Sequence, residues 1–191
     1  MELDIIAPKI YGKKIILGPL RSDLNDTYRR WLHDMDIGVN LYASRLLTRE
    51  QEAAWLEKVG ETSDVIFTIY MRENRTPVGT SGLHGIDPIN RTAEFGFMIG
   101  EKKFHNLGLG TEAALLTVDY GFNVLNLASI FLRVHSFNTR ALKIYEKIGF
   151  KKCGVRRRAY YLGGRYYADV YMDIIPEEFK ESIFRDMIGG D

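Results

Sequence analysis

The residues with the clearest chemical potential are Gly108 and Gly110, in the run Phe104-His105-Asn106-Leu107-Gly108-Leu109-Gly110-Thr111-Glu112-Ala113. A loop that ends in a helix N-terminus presents unpaired amide N–H groups and the positive end of the helix dipole. It can therefore hold a phosphate without any basic side chain. Glycine at both positions removes the Cβ atoms that would keep a diphosphate off the backbone. On this run alone, a plain strand-to-helix turn fits as well as an anion cradle. A second stretch lies about thirty residues further on, Asn138-Thr139-Arg140-Ala141-Leu142-Lys143-Ile144-Tyr145-Glu146-Lys147-Ile148-Gly149-Phe150. It reads as a helix capped by Asn138, apolar along Ala141, Leu142, Tyr145 and Ile148, and stopped by Gly149.

These stretches need elements to place them. Residues 93–99 read as a strand leading into the glycine turn, and 110–122 as the helix leaving it, with Ala114, Leu115, Val118 and Phe122 on one side. Residues 129–136 read as the strand before the Asn138 helix. Upstream, 13–19 is a strand ended by Pro19. Ser22 or Asp23 can cap a helix running to His33 with Leu24, Tyr28, Trp31 and Leu32 as its stripe. Thr48 and Gln51 form a capping-box pattern that opens a helix through Ala54, Trp55 and Val59. Strands follow at 65–71 and 78–86. Residues 150–161 and 165–175 pair as a hairpin across Leu162-Gly163-Gly164, and Pro176 starts a last short helix with Phe179, Ile183 and Phe184 on its apolar side. The order βααβββαβαββα predicts one α/β (α+β) domain over 1–191, with no long linker and no repeat.

Composition narrows the function. The chain has 191 residues, a net charge of +1, and 46% hydrophobic and 27% charged residues. That balance does not point to nucleic acid or to an acidic membrane. No apolar run approaches the ~18 residues of a membrane span, and nothing near the start resembles a signal peptide, so the expected compartment is cytoplasmic. A lone cysteine, Cys153, excludes an intrachain disulfide or a cysteine-based metal cluster, and the histidines at 33, 84, 105 and 135 lack a metal-ligand spacing, so no metal is expected.

The two motifs together, in this order and with a strand between them, resemble the GNAT superfamily of acyl-CoA-dependent N-acetyltransferases over about residues 12–176. The superfamily's Gln/Arg-x-x-Gly-x-Gly/Ala loop is matched at His105, Gly108 and Gly110. Its Asn-x-x-Ala-x-x-x-Tyr-x-x-x-Gly-Phe helix is matched at Asn138, Ala141, Tyr145, Gly149 and Phe150. Ala93-Glu94-Phe95-Gly96, Asp119-Tyr120-Gly121-Phe122, Leu125-Asn126-Leu127 and Gly164-Arg165-Tyr166-Tyr167-Ala168-Asp169 look most like the spermidine/diamine and ribosomal-protein N-terminal branch. His105 departs from the usual Gln or Arg. Asn106 stands where Gly is frequent in this branch, and asparagine tolerates a left-handed backbone.

The resemblance implies a strongly twisted mixed sheet, flanked by helices and splayed between the strands at 93–99 and 129–136. It implies acetyl-CoA as cosubstrate, its diphosphate on His105, Asn106, Leu107, Gly108, Leu109, Gly110 and Thr111. The pantetheine arm would pair with Phe97, Met98 and Ile99, with a further contact from Asn138. Acetyl transfer needs a neutral amine, a polarised thioester and a proton for the leaving thiolate. Tyr145 matches the general acid, because a phenol stays protonated at neutral pH. Glu94 matches a strand carboxylate that acts as base through a water; the competing reading pairs it with Arg91 or Lys102 on the surface. Some members carry the base five residues before the Asn, where this chain has Arg133.

Acceptor contacts are assigned to Trp31, Tyr42 and His135. His135 could bind the acceptor or relay a proton; the competing reading is a half-exposed strand histidine with no such duty. The acceptor is expected to be a primary amine, either a small molecule or a peptide N-terminus. Polyamine enzymes of the branch carry an acidic cluster after the first helix, and Gly38-Val39-Asn40-Leu41-Tyr42-Ala43-Ser44-Arg45 has no carboxylate, which disfavours a polyamine. Lys151, Lys152, Arg156, Arg157, Arg158 and Arg165 make the last hairpin basic, either as a solvated face or as a patch for an acidic acceptor or a phosphate. A homodimer is compatible with the pattern. The rival readings are a non-catalytic acyl-CoA sensor on the same fold and a nucleotide-binding module, which would want an acidic ribose contact that 129–136 does not offer.

Overall fold

The computed structural model describes residues 9–42 and 46–187. Ala43, Ser44 and Arg45, part of the segment read for the acceptor, lie outside them. Among the described residues eight strands form one sheet, hydrogen-bonded in sequence order except that the last two exchange places at one edge, and the chain gathers into two compact units, Met1–His84 with Gly96–Ala114 and Gly85–Phe95 with Leu115–Asp191.

In the first unit, β1 (Ile10–Tyr11), β2 (Ile15–Pro19), β3 (Val65–Met71) and the main part of β4 (Pro77–Asp87) pair antiparallel in sequence order. Ile15, Ile16 and Leu17 are all fully buried, so β2 is an apolar run rather than an alternating one. The helix α1 (Asn25–His33) lays Tyr28 and Trp31 into the core. The buried Tyr28 hydroxyl and Thr68 Oγ1 bond at 2.6 Å, and Thr68 donates onward to the Pro19 carbonyl. Neither Ser22 nor Asp23 caps α1: residues 22–24 form a 3-10 turn, and the Asp23 carboxylate is held by Arg21 at 2.7–2.8 Å. That guanidinium also holds the Asp23 carboxyl below the usual carboxylate range.

A short α2 (Met35–Gly38) follows, capped by Asp34. The capping box at Thr48 and Gln51 opens α3 (Arg49–Val59) as the sequence predicts. Its buried residue is Glu52, however, while Trp55 stays 42% exposed. Burial pushes the Glu52 carboxyl up, against the opposing pull of Arg29.

In the second unit, the first half of β5 (Thr92–Ile99) pairs parallel with β6 (Ser129–His135) at Thr92↔Ser129, Ala93↔Ile130 and Glu94↔Phe131. The resemblance implies that the strands at 93–99 and 129–136 part, and the parallel register between them covers those three pairs. β6 then pairs antiparallel with β8 (Arg165–Ile174), and β8 with β7 (Lys151–Leu162). Gly163 and Gly164 turn the hairpin at φ +57° and +80°, the left-handed pair that a two-residue turn requires. Most of α4 (Leu109–Asn123) and all of α5 (Thr139–Ile148) belong here. The last helix begins later than the sequence predicts, as α6 (Ile183–Met187). Its N-terminus is set by a distant residue, since Asp119 accepts from the Ile183 N–H and the Ser182 hydroxyl. Among the described residues no helix is long and apolar enough to cross a membrane, and no cluster fits a metal ion.

Candidate functional site

The first unit carries the glycine turn. β5 ends at Ile99, residues 102–104 make a 3-10 turn, and α4 begins at Leu109. The turn is closed on itself: His105 Nε2 donates to the Ile99 carbonyl at 2.8 Å. His105 thus spends its ring on loop shape, in place of the Gln or Arg of the pattern. Asn106 adopts φ +63° and Gly108 φ +83°, as the sequence reading expects of a loop that needs left-handed residues. The Glu112 N–H closes the first turn of α4 on the Gly108 carbonyl, which leaves the amides of Leu109, Gly110 and Thr111 at the open helix end. A Cβ on Gly110 would stand 2.7 Å from the Phe97 ring, and one on Gly79 2.0 Å from the Met98 carbonyl. Glycine is therefore what lets the strand at Phe97–Ile99 and the start of α4 come this close.

Sequence reasoning missed Lys14. Its Nζ donates to the Leu107 carbonyl at 2.9 Å, and its backbone N–H donates to the Glu112 carboxylate. It ties the lead of β2 to the glycine turn and places a cation beside it. The Lys13-Lys14 pair was the available signal, but nothing local says that residue 14 meets residue 107.

Trp31 does not stand as expected. It is 1% exposed, a Cβ on Gly100 would fall 2.1 Å from its ring, and its indole N–H donates to Glu101 Oε1 at 2.9 Å. It is a core residue with no face for an acceptor. Tyr42 is 42% exposed.

The second unit carries the titratable groups. Asn138 accepts from the Ala141 N–H and caps α5, and Gly149 ends that helix at φ +115°. Both agree with the sequence reading. Tyr145 projects from α5 at 6% exposure, edge-on to Phe95 at 6.2 Å and beside Phe150 at 5.8 Å between ring centroids. Burial in this aromatic wall pushes the phenol up from its usual value, so it is protonated throughout the neutral range.

Glu94 pairs with neither Arg91 nor Lys102. Its Oε1 accepts from Arg133 Nε at 3.1 Å, with both side chains a little over one third exposed. The parallel register explains the pair: Glu94 stands opposite Phe131, and Arg133 returns to the same side of β6 two residues on.

His135 corrects another expectation, for it is fully buried rather than half-exposed. Its Nδ1 donates to the buried Asp169 carboxylate at 2.9 Å, and its ring stacks on Tyr160 at 4.1 Å and on Phe137 at 5.3 Å. The partner is 34 residues away on β8, beyond the reach of any local pattern. This burial takes His135 away from the acceptor.

The two units thus carry groups of different kinds. The first has the glycine turn at the start of α4, and the second has the buried Tyr145 phenol and the partly exposed Glu94 carboxylate. The sequence model of the acetyltransferase (GNAT) domain matches residues 14–151. The spermidine N(1)-acetyltransferase of Escherichia coli K12 is 36% identical over 94 residues, which is 49% of this chain and 50% of that protein. The alpha/beta-tubulin-N-acetyltransferase 9 of Mus musculus is 28% identical over 155 residues, 75% of this chain and 64% of that protein. The chain therefore spans about half to two thirds of the length of these relatives. The crystal structure of spermidine N-acetyltransferase from Vibrio cholerae in complex with CoA and spermine aligns with a TM-score of 0.82. That match has 21% identity and covers 87% of this chain and 98% of that one, a likeness of fold.

Proposed function

Because the chain belongs to the GNAT acetyltransferase family, we propose that it transfers an acetyl group from acetyl-CoA directly to a primary amine. The observation that carries this reading is the glycine turn, with left-handed Asn106 and Gly108 and open amides at Leu109–Thr111. Such a turn suits a diphosphate, and Phe97, Met98 and Ile99 supply the strand along which the pantetheine arm would lie. Acetyl-CoA supplies the activated acyl group. Asn138 keeps its cap and is proposed as a further cosubstrate contact.

Tyr145 is proposed as the acid that protonates the departing thiolate. Its buried phenol holds its proton until a strongly basic sulfur appears. Glu94 is proposed to engage the amine through a water and to start its deprotonation, with Arg133 fixing the carboxylate. A Glu94→Gln protein with wild-type kcat would remove Glu94 from that role. Cys153 is exposed on β7, outside both motifs, and no acetyl-enzyme is invoked.

The acceptor is proposed to be a protein N-terminus, an amino acid or an amino sugar. The described part of the segment after α1 offers carboxylates at Asp34 and Asp36, and Lys102 Nζ lies 2.8 and 2.5 Å from them. One cation of the same unit already engages both, which leaves a single net negative charge and suits a polycationic acceptor poorly. CoA release should be assayed on a panel of spermidine, amino acids, amino sugars and short peptides. Turnover should favour a monoamine. Spermidine as the best acceptor would restore the polyamine alternative, and CoA binding without turnover on any amine would support a sensor. We further propose a cytoplasmic protein, with assembly as a homodimer open to test by light scattering.

A further inference from the structure

Between residues 151 and 168 the chain carries six cations and no carboxylate, in a protein whose net charge is +1. The rest of the molecule is therefore net acidic, and the bulk balance hides a local basic field. All six cations are exposed, on the hairpin of β7 and β8, which lies wholly in the second unit. Lys151 is paired with Glu178. Arg156 stands opposite Asp169, but that carboxylate is buried and committed to His135. Arg156, Arg157, Arg158 and Arg165 form no ion pair with any described residue.

Two aromatic rings share the tip of this hairpin. Tyr161 and Tyr166 are cross-strand partners on either side of the Gly163-Gly164 turn, each 61% exposed, with ring centroids 5.0 Å apart. The neighbouring pair, Tyr160 and Tyr167, turns inward and packs on Phe137, as the two-residue period of a strand requires. The register of β7 with β8 shifts between Arg156 and Tyr160, and Arg158 lies in that irregularity at φ +50°. A bulge re-aims side chains. The Arg158 guanidinium stands 5.8 Å from the centroid of the Tyr166 ring.

β7 lies at an edge of the sheet. Charges on an edge strand guard it against pairing with another chain, and a second copy would set these arginines against like charge. Guarding an edge needs no exposed tyrosine, however. We infer that the 156–166 face of the hairpin binds single-stranded RNA. Guanidinium forks grip phosphate oxygens. Unstacked bases lie on the open tyrosine rings, and the arginine beside them adds a cation–π contribution. An acidic protein segment would use the same cations but has no general use for two open rings. This surface stands apart from the acetyl-transfer reading and does not depend on it.

The test is the fluorescence anisotropy of a fluorescein-labelled oligouridine titrated with the full chain over a series of salt concentrations. Binding should weaken as salt rises, with a log–log slope of about 0.7 for each phosphate contact. Arg156→Ala, Arg157→Ala and Arg158→Ala combined should cut that slope by about 2 and lower the affinity by about tenfold or more. Tyr161→Ala, with every arginine in place, should weaken binding about fivefold or more, and Tyr161→Phe should not. These side chains are exposed, so melting temperatures should stay at the wild-type value. Saturating CoA should leave the RNA bound. No anisotropy change at low salt overturns the inference. So does Tyr161→Ala binding as tightly as wild type while polyglutamate displaces the RNA, which assigns the hairpin to an acidic protein. An RNA duplex bound as tightly as the single strand overturns it as well, and so does displacement by CoA, which assigns the RNA to the cosubstrate site.

Discussion

In the first unit the atoms proposed to act are mainly backbone: amides at the start of α4, left-handed residues at 106 and 108, and glycines at 79, 108 and 110 where a Cβ would be strained or would clash. In the second unit they are side chains whose character is set by partners, with Tyr145 walled by Phe95 and Phe150 and Glu94 held by Arg133. A backbone site is written in local sequence, because glycine and asparagine are chosen for what their own φ angle allows. A side-chain site is written across strands, because what a carboxylate or imidazole does depends on a residue tens of positions away.

A first-unit variant that disturbed turnover as much as binding would erase this difference. Gly110→Val places branched carbon against the Phe97 ring, an overpacking of about 1–3 kcal/mol. CoA Kd by calorimetry should rise by about tenfold to a hundredfold, with saturated kcat nearly preserved. An unchanged Kd would take the turn out of cosubstrate binding.

The next effect is smaller and belongs to the second unit. Asn138→Ala removes the acceptor for the Ala141 N–H and should cost about 1 kcal/mol in denaturant unfolding. If CoA Kd rises as well, Asn138 both caps α5 and touches the cosubstrate; a stability loss alone assigns it to the cap.

The smallest effect sharpens the reading of burial. Folding pushes the Tyr70 phenol up to about 12 and raises the Tyr145 phenol as well, both by desolvation. An unfolded tyrosine ionises near pH ~10. Above that pH the unfolded chain releases protons that the folded chain keeps, so stability present below it should decline as pH climbs. Tyr145→Phe should flatten that decline in denaturant melts at rising pH, and an unaltered slope would contradict the burial.

The legibility of this chain follows the same division. The glycine turn, the Asn138 cap, the Gly149 stop, the Gly163-Gly164 hairpin and the Thr48 capping box were all readable, because each is a contact within a few residues. The start of the last helix was not, because its N-terminal amides are satisfied by Asp119, about sixty residues upstream. The two-residue strand β1 is too short to carry a period. Glu52 in the core and Trp55 at the surface reverse what residue type alone predicts for α3. His135 and Trp31 looked available for an acceptor, since aromatic and imidazole side chains suit one. Packing against Asp169 and Gly100 decided otherwise.

The most direct test of the account is Tyr145→Phe, with kcat for CoA release and Kd for acetyl-CoA measured on the same preparation. The substitution keeps the aromatic wall with Phe95 and Phe150 and removes only the donor. kcat should fall by about 10²-fold or more with Kd unchanged. A Tyr145→Phe protein that turns over at the wild-type rate would contradict it.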